Sequence, residues 1–318
     1  MNFSRIKKRA DLGAILITLA MIAVFGIIDF QGFFNPFTIK SILHLSAILG
    51  FVAIGETFVL ISKEVDLSVG SVYGLGGIAF ILLVPYLGVI ISFIAVMAGA
   101  VLIGLINGLL VVKTRIPSMI ATLCSLFFYR GVIYLWAGGA VPSLEHEARD
   151  HWLIRLLGGE FLGLENAIFI MLFILVCFQL ALMRSAFGNR LFATGGDEPS
   201  ARSRGVATGT IKSIAFILCS MLSAFAGVAY IADTPQTYLT MGFMFELEVI
   251  AAAVVGGCSL YGGRGSAIGA VLGAFIIVTI RSELVGLGAP SSWFISFVGI
   301  LLIIAVLFNR LVQSHRSR

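Results

Sequence analysis

Of the 318 residues, 59% are hydrophobic and 12% are charged, and the mean hydropathy is +1.07. A soluble domain carries about a quarter charged residues, so this composition excludes a water-soluble globule, a disordered chain and a small disulfide-built module, and leaves a polytopic membrane protein. The net charge of +5 fits the basic excess that membrane proteins keep in cytoplasmic segments better than it fits nucleic-acid binding.

A helix crosses a bilayer in about 20 apolar residues. The first such run, 12–28, follows Arg5, Lys7, Lys8 and Arg9. It is long for a signal-peptide core, and 29–34 offers no small-residue cleavage site, so it reads as an uncleaved helix. Further spans follow near 42–61, 69–85, 89–112 and 118–137, with Pro85-Tyr86-Leu87-Gly88 dividing the third from the fourth. An acidic connection at about 138–165 carries Glu145, Glu147, Asp150, Glu160 and Glu165. A span near 166–183 leads to a basic connection at about 184–212, and four spans close the chain near 214–232, 247–260, 267–280 and 292–308. The runs at 247–260 and 267–280 are short for full crossings.

The expected fold is therefore an all-α polytopic membrane protein with about ten transmembrane helices in one domain, 1–318. Sixteen of the 21 Lys and Arg fall in segments assigned to one side, against Lys40, Arg130, Arg149, Arg155 and Arg281 on the other, which places both termini in the cytoplasm. Cys124, Cys177, Cys219 and Cys258 sit inside apolar runs without metal-ligand spacing and read as small buried hydrophobes. His44, His146, His151 and His315 are scattered. No phosphate-binding GxxxxGK[ST], HExxH or GxSxG sequence is present, which argues against an enzyme and against ATP hydrolysis by this chain.

Ionisable residues inside the spans are sparse, which disfavours an ion-coupled carrier. Glu56 is the clearest exception, and two readings fit it: a pathway residue, or an end-proximal acid reaching interfacial water or Lys63. Two glycine-rich stretches recur at matching places in the two halves, which points to pseudo-repeated halves. Asp66-Leu67-Ser68-Val69-Gly70-Ser71 opens the third span, and Leu260-Tyr261-Gly262-Gly263-Arg264-Gly265-Ser266 opens the ninth. Gly-interrupted spans at corresponding positions mark a solute path, where helix N-termini offer free N–H groups. Glu56, Asp66, Ser68, Ser71, Asn107, Ser259 and Ser266 are the candidate pathway residues, and N-capping is an equally physical role for Asp66 and Ser68. In the basic connection, Asp197–Arg204 has the charge order of a short helix. Pro199 suits its first turn, Asp197 and Glu198 its start, Arg202 and Arg204 its end, and Gly205 stops it. Such a helix is suited to docking into a partner, although an ordinary solvated loop has the same composition.

Four segments, in this order, carry a resemblance: DLSVGS at 66–71, GLINGLLVVKTRIPSMIATL at 104–123, ATGGDEPSARSRGV at 193–206 and ELEVIAAAVVGGCSLYGGRGS at 246–266. The chain resembles permease subunits of ABC importers for monosaccharides, of the ribose, xylose and autoinducer-2 type. The resemblance implies an inner-membrane permease that pairs with a second copy or a paralogous permease. It also implies a cytoplasmic ATP-binding subunit that carries the ATP, and a periplasmic or lipid-anchored sugar-binding protein. No cofactor on this chain and no nucleic acid are implied, and lipid is the surrounding solvent. Asn189, Arg190, Gly195, Gly196, Asp197, Glu198, Ala201, Arg202, Arg204 and Gly205 match the segment that docks the ATPase. Lys63-Glu64, Glu56 and Arg281-Ser282-Glu283 depart from the family pattern, which leaves the sugar open. The other class to weigh is an ion-coupled transporter or facilitator of a small polar solute that works without an ATPase.

Overall fold

A computed structural model describes residues 11–139, 141–290 and 293–314, with side chains described as far as 304. The basic residues at 5–9 and 316–318, and His315, lie outside the described residues. In chain order the helices are α1 (Asp11–Ile28), α2 (Phe30–Phe33), α3 (Pro36–Ile61), α4 (Val69–Thr114), α5 (Ser118–Ala137), α6 (His146–Arg149) and α7 (Trp152–Gly158). A two-residue hairpin, β1 (Glu160–Phe161) with β2 (Leu164–Glu165), follows. Then come α8 (Asn166–Arg184), α9 (Ala186–Gly196), α10 (Glu198–Ser203), α11 (Thr208–Asp233), α12 (Phe245–Val255), α13 (Ala267–Gly286) and α14 (Trp293–Ser314).

Among the described residues six helices, α3, α4, α5, α8, α11 and α13, are long and apolar enough to cross a membrane. α1 and the described apolar part of α14, Trp293–Ile304, are shorter. α4 is one run of 46 residues that would be about 69 Å long if straight, more than twice the hydrocarbon thickness of a bilayer. It is broken at Gly88, whose φ of 73° and ψ of 169° are open to a residue without a Cβ. Pro85, which lacks an N–H, sits three residues ahead of the break. The two spans expected at 69–85 and 89–112 are thus two arms of one bent helix with no loop between them. The span expected at 247–260 is corrected more sharply. Its helix, α12, has 11 residues, about 16 Å, and cannot cross alone. The small, β-turning residues at 256–266 end it before the length of a crossing is reached.

α3 forms the axis of the bundle. Asn35 Oδ1 accepts the Phe37 N–H and Pro36 occupies the first turn, which starts the helix cleanly. Every residue from 46 to 61 is buried, because α8, α11, α12 and α13 pack around it. α4 lies along α11 and α5. The cysteines divide: Cys219 and Cys258 are buried as expected, whereas Cys124 on α5 and Cys177 on α8 are exposed.

The two ends of the bundle differ in charge. One gathers 61–64, 113–118, 184–212 and 256–266, held together by the Gly263 N–H to Ile61 carbonyl bond and the Lys212–Glu64 ion pair. It carries Lys63, Lys113, Arg115, Arg184, Arg190, Arg202, Arg204, Lys212 and Arg264. The other gathers the 138–165 connection against 232–238, through Leu144 N–H to Pro235 O, the Ser143–Gln236 bridge and the contact of Gly158 with Ala232. This end carries the five acids of that connection.

Candidate functional site

The loop 62–68 does not stay at the basic end but turns into the bundle. Four consecutive backbone N–H groups there are each satisfied by a side chain. Val65 N–H donates to Ser118 Oγ (3.1 Å), Asp66 N–H to Glu56 Oε1 (3.1 Å), Leu67 N–H to Thr122 Oγ1 (3.0 Å) and Ser68 N–H to Asp66 Oδ1 (2.9 Å). Their acceptors come from α3, α5 and the loop itself. Irregular backbone is tolerated at membrane depth only under such cover. The depth follows from the helix rise. Asn107 lies seven residues from the end of α4 and Ser125 seven from the start of α5, so the loop reaches about 10 Å inward.

From Asp66 the network continues. Ser68 Oγ donates to Asp66 Oδ1 (2.6 Å), Asn107 Nδ2 donates to Ser68 Oγ (2.9 Å), and Ser125 Oγ donates to Asn107 Oδ1 (2.7 Å). Cys219 Sγ donates to Glu56 Oε2 (3.4 Å), which brings in α11. Glu56, Asp66, Ser68, Ser71 and Asn107 are all fully buried. The structure therefore joins four of the seven candidate pathway residues in one cluster. The fifth, Ser71, lies one turn on and donates to the Leu126 carbonyl (2.9 Å). One polar atom of the cluster, Asp66 Oδ2, has no partner. Glu56 is enclosed by protein, with Asp66 and Cys219 rather than Lys63 at its carboxyl group. Lys63, two residues past the end of α3, has a φ of 69° and is exposed, while Glu56 is buried about two turns earlier.

Ser259 and Ser266 lie elsewhere, behind α3, where Cys258 Sγ donates to Thr57 Oγ1 (3.5 Å). Ser266 Oγ accepts the Gly269 N–H (3.1 Å) and Ser259 Oγ the Tyr261 N–H (3.2 Å), so both shape the turn that starts α13. Gln179 of α8 completes that cap by accepting the Ala267 N–H (3.0 Å). Sequence reading did not reach Ser118, Thr122, Ser125 or Gln179, because a single Ser, Thr or Gln in an apolar helix looks the same whether it bonds its own helix or a neighbour. Thr122 does both, since its hydroxyl also lies 2.8 Å from the Ser118 carbonyl.

α4 and α12 bring their N-termini side by side inside the bundle. Tyr73 stacks on Phe245 with ring centroids 4.7 Å apart, and Gly70 faces the Gly242 carbonyl and the Glu246 side chain. Glu246 is 9% exposed, and its Oε2 has no hydrogen-bond partner. Arg130, assigned from sequence to an outer helix end, is instead buried beside it and donates to the Met241 carbonyl (2.7 Å).

At the basic end, α10 spans Glu198–Ser203 with Asp197 as its N-cap, within a residue of the helix expected at 197–204. Two bonds from Ser200 hold the Asp197 carboxyl below its usual range. At Glu198 partial burial opposes ionisation, but Lys212, Thr208 and Arg202 outweigh it and also leave the carboxyl low. Asn189, Arg190, Gly196, Asp197, Arg202, Arg204 and Gly205 are exposed, Glu198 is half-buried, and Gly195 and Ala201 are buried. Gly195 meets the end of α3 so closely that a Cβ there would overlap the Ile61 carbonyl oxygen. The surface at 186–205 is thus an exposed face mounted on a backbone contact with the core.

A profile of the family described as "Branched-chain amino acid transport system / permease component" matches residues 38–306. The autoinducer 2 import system permease protein LsrC of Yersinia enterocolitica is 32% identical, over 97% of this chain and 84% of its own length. The protein of the same name from Klebsiella pneumoniae is 35% identical and that from Shigella flexneri 33%, each over 96% of this chain and 88% of its own length. No solved structure matches the chain.

Proposed function

Because the chain belongs to the permease-component family of ABC importers, a multi-pass inner-membrane subunit that transports rather than catalyses, we propose that it carries a monosaccharide or related polyhydroxy solute, of the autoinducer-2 type, into the cytoplasm by alternating access. The family works with ATP-binding and substrate-binding subunits. The specific reading is that α9 and α10 dock a cytoplasmic ATPase, that a periplasmic or lipid-anchored protein delivers the solute at the acidic end, and that a second copy or a paralogue completes the pore. The positive-inside bias supports a cytoplasmic basic end. The ten-crossing, N-in and C-in topology with pseudo-repeated halves also fits. The two arms of α4 count separately, and 234–244 with α12 together make one crossing. The relatives' shared name favours the autoinducer-2 type of solute over the amino acids of the family's description.

The observation that carries this reading is the exposed, charge-ordered α10 fixed to the core beside the buried 62–68 loop. It gives a cytoplasmic partner a handle on a segment that reaches inside the bundle. Such re-entrant segments and half-helices are where transporters place their solute path, and Glu56, Asp66, Ser68, Ser71 and Asn107 are proposed to gate it. Ser259 and Ser266 stay on the proposed path through the turn they hold. The test is uptake into liposomes. Solute is expected to accumulate only when the ATPase, the binding protein and ATP are all supplied. Accumulation driven by a proton or sodium gradient alone would overturn this reading in favour of a self-sufficient carrier.

A further inference from the structure

α9 and α10 are held to the core by different means. α9 is fixed by backbone contact, at Gly195 against Ile61 and through the Gly263 N–H to Ile61 carbonyl bond beside it. α10 follows after Asp197, whose extended backbone (φ −153°, ψ 95°) breaks the helix, and its grip on the core runs through side chains. Lys212 Nζ, on α11, donates to Glu198 Oε2 (2.7 Å) and to Glu64 Oε1 (2.7 Å). Its side chain is 12% exposed and that of Glu64 is 14% exposed, so solvent screens the pairs only partly. Arg202 and Thr208 add bonds to the same Glu198. Glu64, Glu198, Arg202 and Lys212 line a cleft that also takes in Arg115.

We infer that Lys212 is the strut by which movement of α10 is passed to the buried 62–68 loop. The inference rests on the reading that α10 meets an ATPase. Glu64 is two residues ahead of Asp66, and the N–H groups that follow are tied to α3 and α5. A displacement of α10 about Asp197 draws on Lys212 and Glu64, and shears the loop from Ser118, Glu56 and Thr122. The Asp66–Ser68–Asn107–Ser125 chain, which ties α4 to α5, is the next connection to give. Lys212 touches no solute in this scheme and acts as a positioning residue through Glu64. This pairing joins two features that the sequence showed separately, the charged α10 and the Lys63-Glu64 departure.

The experiment compares complexes of the permease, ATPase and binding protein in liposomes, measuring solute moved per ATP hydrolysed. In Lys212→Met the ATPase is expected to copurify and hydrolyse ATP as in wild type, while solute per ATP falls by about 10-fold or more, which is within the range of ordinary coupling free energies. Lys212→Arg, which keeps charge and reach, should restore most of the ratio. Glu64→Gln leaves the Lys212–Glu198 pair in place and should reproduce the uncoupling, so it decides the matter even if Lys212→Met does not accumulate. An unchanged ratio in Glu64→Gln would overturn the strut. So would loss of ATPase copurification in Lys212→Met alongside a normal Glu64→Gln, which would make Lys212 part of the docking surface. Absence of ATP-driven uptake by the wild-type complex would remove the importer reading itself, and the strut with it.

Discussion

Glu56→Ala is expected to destabilise the protein by about 4 kcal/mol, and Glu56→Gln by about 1 kcal/mol or less. Glu56 is fully buried and its two oxygens accept the Asp66 N–H and the Cys219 S–H. Alanine removes both acceptors in a place no water reaches. An orphaned buried donor costs about 1–3 kcal/mol, and the space left by the four lost heavy atoms adds a cavity term of similar size. Glutamine keeps an oxygen for the Asp66 N–H and nearly the same shape, so little packing and one acceptor at most are lost. Thermal unfolding in detergent, followed by intrinsic fluorescence, would separate the two. An alanine variant as stable as glutamine would show that the 62–68 loop does not depend on α3 for its hold.

Gly195→Val is expected to abolish solute uptake and to lower ATPase copurification by about 10-fold or more, equivalent to about 1.4 kcal/mol of docking free energy. The added Cβ meets backbone, the Ile61 carbonyl oxygen and the Gly263 nitrogen, and neither can swing aside as a side chain would. To relieve the overlap α9 must lift from the end of α3 and from the turn at Gly263. The neighbouring Gly196 supplies the control. A Cβ on Gly196 meets nothing within 4 Å, so Gly196→Ala should dock and transport normally. Equal copurification of both variants with the ATPase would place the docking surface away from α9.

The contrast between these two glycines shows where sequence stops being informative. Both stand in the same GG pair, and nothing local distinguishes them. What separates them is the end of α3, reached only through the tertiary fold. The α10 helix was legible because its determinants are local: an N-cap, a proline in the first turn and a stop glycine all lie within nine residues. The membrane class, the acidic and basic connections and the clustering of Asp66 with Ser68 were legible for the same reason. The acceptors Ser118 and Thr122 that hold the 62–68 loop were not, nor was Gln179 at the start of α13, since each acts across helices on a segment far away in the chain. Glu56 was singled out as an anomaly of composition with two readings open, and its partners Asp66 and Cys219 were not legible, because the direction in which α3 presents it depends on how α11 packs. The short α12 had its warning in the brevity of the 247–260 run. The chain between Asp233 and Phe245 that completes its course carries no apolar periodicity to announce it.

That half-length helix bears on how the protein is made. A segment of 11 helical residues falls well short of the ~20 that the insertion machinery recognises as a span. α12 is therefore expected to enter lipid only once α13 emerges and covers it, since α12 packs on α13 and α3. Chains truncated after residue 262 should leave 245–255 reactive to water-soluble thiol reagents at single introduced cysteines, and chains extended through Gly286 should protect them. Protection in the shorter chains would show that α12 inserts unaided.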